Sequence, residues 1–92
     1  MIQITAIRLQ GSSDHEHIVS VKWRNLQTGV TGESTRQAVV SWLDESNANQ
    51  AVVANAASWV YVRVVRPEGR PAYLRTHADG KWSDNLLALP PV

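Results

Sequence analysis

Cysteine is absent from these 92 residues, so no disulfide framework, thiol nucleophile or cysteine-ligated zinc is available, and the redox compartment is unconstrained. Phenylalanine is absent too, and four Trp and two Tyr supply the aromatic surface. Neither sign of charge prevails. Nine Lys or Arg against eight Asp or Glu leave a formal charge of +1, which makes no electrostatic case for a duplex-DNA binder or a membrane-surface protein. No apolar run approaches the ~20 residues that a membrane-spanning helix needs, so no membrane role is expected. The opening Met-Ile-Gln-Ile-Thr-Ala-Ile-Arg-Leu lacks a basic stretch followed by a continuous apolar one. It does not read as a signal peptide, and a cytoplasmic location is the default expectation. Internal repeats, heptads and low-complexity segments are also missing.

What is present is a quarter of the chain as Val, Ile or Leu, enough for one modest core in a single domain over residues 1–92. Residues 2–9 are rich in β-branched side chains, with Ile2, Ile4 and Ala6 at period two and Ile7 and Leu9 on the other parity. That change implies burial on both faces or a bulge near Ala6. Residues 17–25 alternate, with Val19, Val21 and Trp23 against Ser20, Lys22 and Arg24, and form a hairpin with the first strand. Residues 26–33, with Gly29 and Gly32 in polar company, read as a loop.

Ser34 and Gln37 have the spacing of a capping box, so a helix is expected over 35–46, with Val39, Val40, Trp42 and Leu43 as its apolar stripe. A short strand over 52–54 and a turn at 55–58 follow. Residues 59–66 are apolar on both faces and read as a central strand, joined by the Pro67–Arg70 turn to a strand over 72–76. The expected fold is α+β: an antiparallel sheet of about four or five strands, with one α-helix packed on one face and a short C-terminal turn or 3-10 segment.

The C-terminal segment reads as a staple over 79–90. Asp79-Gly80 makes a turn, and Asp84 caps the amides of Leu86 and Leu87. Trp82, Leu86, Leu87 and Leu89 then fold back over the core, and Pro90-Pro91 stops the chain. Alternatively, Asp79, Asp84 and Asn85 present their oxygens to a ligand.

The ending Tyr73-Leu74-Arg75-Thr76, then Asp79-Gly80, Asp84-Asn85-Leu86-Leu87 and Leu89-Pro90, resembles the DUF3892 family of small, mostly bacterial proteins of uncharacterised function. Ile4-Thr5-Ala6-Ile7-Arg8 and His15-Glu16-His17-Ile18 extend the resemblance through most of the chain. It implies a short β-rich domain and brings no activity, cofactor or catalytic residue with it.

Candidate chemistry is sparse. His15 and His17, two apart on a strand, point to one face and could chelate a divalent ion, with His77, Asp79, Asp84 or Glu16 completing the set. The competing reading packs His17 at the core margin beside Val19 and Val21. No nucleophile elbow, Walker loop, dinucleotide glycine pattern or calcium loop occurs, and no catalytic activity or cofactor is expected. A second class is a platform for single-stranded nucleic acid. Lys22 and Arg24, with Arg8, Arg63, Arg66, Arg70 and Arg75 on neighbouring strands or turns, would flank bases stacked on Trp59 or Tyr61. The same cations also suit a merely solvated sheet face. The leading expectation is a binding or protein-interaction module, with Trp59, Tyr61, Arg63, Trp82, Asp79, Asp84 and Asn85 as its surface and an unknown protein or a second copy as its partner.

Overall fold

Branched side chains at period two build the centre of the molecule. Strand β1 (Ile2–Leu9) pairs antiparallel with β2 (Ile18–Asn25), setting Ile4 opposite Trp23 and Ile7 opposite Val21. The parity change in β1 is a register shift between Ile4 and Ala6, which brings Ile2, Ile4 and Ile7 into the same core cluster. The computed structural model describes residues 1–55, 58–78 and 80–92. The turn expected at 55–58 falls partly on residues 56 and 57, and Asp79 is likewise outside the described residues.

The remaining elements are β3 (Thr31–Thr35), α1 (Arg36–Glu45), β4 (Ala51–Asn55), β5 (Ser58–Val65), β6 (Tyr73–Ala78) and β7 (Lys81–Ser83). They form one seven-stranded sheet in the order β3-β2-β1-β4-β5-β6-β7. All neighbours are antiparallel except β1 and β4, which run parallel through Ile2–Ala51 and Gln3–Val52. The expectation of an α+β fold, with four or five antiparallel strands under a packed helix, is therefore overturned. The sheet is mixed and larger, and the molecule is mostly β with one short helix.

The physical reasons lie at the two edges. Residues 31–35, expected as the end of a loop at 31–33 followed by the cap and first residue of the helix at 34 and 35, pair with β2 as an edge strand although they carry no apolar alternation. The side chain of Trp23 compensates by lying across Gly32, where a Cβ would come within 2.6 Å of Cζ2. Trp23 Nε1 donates to Ser34 Oγ at 2.9 Å. Ser34 is thereby occupied and does not cap the helix; Thr35 does, its Oγ1 accepting from the Ala38 amide at 3.2 Å. At the far edge, β7 is only three residues long, too short for a periodic signal.

Among the described residues, the core draws on Ile2, Ile4, Ile18, Val21, Val53, Val62 and Leu74 from the sheet and its approaches. The helix adds only Val39 and Val40 as buried residues. The tail adds Leu86, fully buried, with Leu87 and Leu89 packed partly against the cluster. Trp82 departs from its expected place in that lid: it sits in β7 and is 45% exposed. The tail also reaches β1. The Ile7 amide donates to Pro90 O at 3.1 Å, and the Val92 amide donates to Ile7 O at 2.9 Å. Proline costs nothing at this bridge, because only its carbonyl is used.

Two substitutions test this packing. Gly32→Ala forces Trp23 from its seat and should cost about 1–3 kcal/mol, by analogy with overpacked cores, read as a lower melting midpoint and altered near-ultraviolet circular dichroism. An unchanged midpoint would mean that Trp23 does not hold β3. Leu86→Ala should cost about 2–5 kcal/mol, whereas Ala88→Gly, at an exposed tail position, should change stability far less.

Candidate functional site

Paired residues in a sheet share a face, so the strand register links Thr31, Arg24, Gln3, Val52, Tyr61, His77 and Trp82 in one row across all seven strands. At about 4.8 Å per step this row is about 29 Å long. The next row on the opposite face runs through Ile2, Ala51, Val62 and Thr76 and belongs to the buried side of the sheet. In the first row only Val52 is buried. Strand alternation thus gives the molecule a filled face and an open one.

The open face has two halves. On β5 to β7 it is aromatic: Tyr61, His77 and Trp82 are successive neighbours, and Trp59 lies two residues from Tyr61 on the same strand. Trp59 is 54% exposed, the most of the four Trp. Trp82 meets His77 edge to face, with centroids 4.8 Å apart. The guanidinium of Arg63 lies over the Tyr61 ring at 5.3 Å from its centroid. On β1 to β3 the face is polar and cationic. Lys22 and Arg24 are exposed, and no ion pair to either occurs among the described residues.

The carboxylates beside this face are already engaged. Glu33 pairs with Arg8 at 3.2 Å and accepts from Ser20 Oγ at 3.0 Å. The Ser20 hydroxyl first, and then Arg8, hold its carboxyl below its usual value. Asp84 accepts from Arg75 at 2.9 Å, in place of the helix-capping role expected of it. Asn85 donates to Ser83 Oγ at 3.2 Å. Arg66 pairs with Asp44 and Arg70 with Glu16, away from the row, which removes both from the expected cationic platform.

The histidines are placed differently from the sequence expectation. His15 and His17 lie in a 3-10 turn, His15–His17, and β2 begins only at Ile18, so the strand parity that aligned them does not apply. His15 is buried, with Nε2 unpartnered and 3.8 Å from Asp84 Oδ1, beyond hydrogen-bond length. His17 Nδ1 faces Asp14 at 3.4 Å. His77 is in the aromatic row. Among the described residues, no three His, Asp or Glu side chains gather so as to hold a metal ion.

A concavity of about 250 Å³ lies on the filled side between α1 and β2, lined by Trp23, Trp42, Ile2 and Val39 among others. It was not foreseen, since nothing in the spacing of Trp23 and Trp42 announces that they share a groove. No helix among the described residues is long and apolar enough to cross a membrane.

Burial lowers the pKa of His15 from 6.5, and Arg75 lowers it further, against the opposing pull of Asp84 and Asp14. The native state therefore holds fewer protons than the unfolded chain as pH falls below 6.5, and stability declines through that window. The melting midpoint should drop between pH 7.5 and 5.5, and His15→Gln should flatten that drop. A wild-type midpoint constant over this range would contradict the burial. Glu33 adds its own loss only below 4.5, as the carboxylate that its partners favour becomes protonated.

The model of one protein family, described as "Protein of unknown function (DUF3892)", matches residues 3–90. No curated protein and no solved structure matches the chain.

Proposed function

We propose that this chain, which belongs to the DUF3892 family of proteins of unknown function, is a binding module without catalytic activity whose working surface is the open face of its sheet. The observation that carries this reading is the exposure of Trp59, Tyr61 and Trp82 together on one face, while the opposite face fills the core. Large aromatics bury more apolar area than other side chains when a partner covers them, and grouped exposure marks binding surfaces. Neither edge strand offers an equivalent surface: β3 is polar throughout, and β7 is short and carries Lys81.

A surface kept for binding contributes little to folding. The double variant Trp59→Ala/Trp82→Ala should stay folded, with a melting midpoint lowered by no more than about 5 °C, corresponding to about 1 kcal/mol. It should also lose most of the fluorescence enhancement that native protein gives an anionic aromatic dye such as anilinonaphthalene sulfonate. A collapse of the melting transition would assign the two rings to folding, and full retention of dye binding would show that they do not form the binding surface; either outcome removes this reading.

A further inference from the structure

We infer that the ligand of the open face is single-stranded nucleic acid, an inference that rests on the binding-module reading above. The argument is one of complementarity. The aromatic half places its rings at two backbone spacings: Trp59 and Tyr61 stand at strand positions about 7 Å apart along β5, and Tyr61 and Trp82 at positions about 10 Å apart across the strands. Unpaired bases stack on such rings whatever their identity, since every base has a π-face. Lys22 and Arg24 continue the same face toward β3, and Arg63 stands beside the rings. Among the described residues none of the three forms an ion pair within 4 Å, although Glu33 stands opposite Lys22 across β2 and β3, its carboxyl held below its usual value by Ser20, Arg8 and then the Lys22 charge. A ligand that crosses the sheet along the row meets stacking surface at one end and, at the other, the exposed Arg24 guanidinium and the Lys22 amine, the latter shared with Glu33.

The formal charge of +1 conceals this arrangement, because it sums over all sides of the molecule. Several of the acids are drawn elsewhere: Asp14 lies beside His17, Glu16 holds Arg70, and Asp44 holds Arg66. A second copy of the chain would press like charges together across a face-to-face contact and is the poorer occupant. An acidic polypeptide would satisfy the cations but leave the rings without stacking partners. A duplex would hide its bases from the rings.

The test uses the full chain and labelled oligothymidylate and oligouridylate of about ten nucleotides, a length suited to a small platform. At low salt both should bind and quench part of the Trp emission. The affinity should fall with salt at a logarithmic slope of about −2, from about 0.7 per neutralised phosphate for three cations. Trp82→Ala should weaken binding by roughly five- to a hundredfold. Lys22→Ala/Arg24→Ala should weaken both ligands alike and bring the slope to about −0.7. A duplex of the same length should bind more weakly than either single strand.

Absence of binding at high micromolar protein overturns the inference. So does equal competition by polyglutamate with no effect of Trp82→Ala, which would assign the face to an acidic polypeptide. A concentration-dependent dimer in light scattering that the oligonucleotide does not dissociate would assign it to a second copy, with the same result. The two readings fail separately. Wild-type protein that binds the dye through Trp59 and Trp82 but ignores both oligonucleotides removes only the nucleic-acid assignment, whereas a double variant that unfolds removes the binding surface itself.

Discussion

Everything in this molecule depends on how β1 shares out its backbone hydrogen bonds. A buried strand must find a partner for each amide and carbonyl, and β1 does so with three different segments. Its length pairs with β2, its beginning runs parallel to β4, and Ile7 is bridged by Pro90 and Val92. Among the described residues the first hairpin and the later meander are hydrogen-bonded as strands through β1 and β4, so the register at Ile2–Ala51 and Gln3–Val52 aligns the two halves of the sheet. A slip of one residue there would turn the later strands inside out relative to the first, placing Tyr61 in the core and Val62 in water. The row from Thr31 to Trp82 exists only because that register holds.

The division into a filled and an open face follows from how little covering material the chain has. One helix of ten residues and a short tail are available. Both go to the same side, where Val39, Val40 and Leu86 close over the isoleucines and valines. The other side is left to its own side chains, and there the strands carry Arg, Lys, Trp and Tyr. Arg63 over Tyr61 and Trp82 against His77 interrupt the apolar surface of this face: rings are bracketed by polar or cationic neighbours and are not stacked into one continuous apolar patch. Val52, fully buried in the middle of the row, is where the polar and aromatic halves of this face meet.

Much of the local structure was legible, and the failures have specific causes. The alternation at Val19–Arg24 and the apolar run at 58–65 carry their strand signal in every residue. The segment 31–35 does not, since its stabilising partner is the Trp23 ring lying over Gly32, eleven residues or fewer away in sequence but invisible to any periodicity. Ser34 and Thr35 compete for the capping position, and only the indole hydrogen bond to Ser34 decides between them. The histidine pair departs from strand parity for a similar reason: the turn after Gln10 extends through His17, so the alternation of β2 does not govern those two side chains. Of the open face, Trp59, Tyr61, Arg63 and Trp82 stand out by residue type and Lys22 and Arg24 by strand alternation, whereas the ion pairs that draw Arg66 and Arg70 off that face join segments far apart in sequence.

By itself, then, the chain of residues determined which segments favour extended backbone, where the helix lies and that no thiol or disulfide chemistry is open to it, because these depend on neighbours close in sequence. The number of strands, the parallel join between β1 and β4 and the side on which each half of the sheet presents its aromatics and cations were decided only in the folded molecule. Those features come from pairings between segments tens of residues apart, whose selection depends on the hydrogen bonds and packing of the whole sheet.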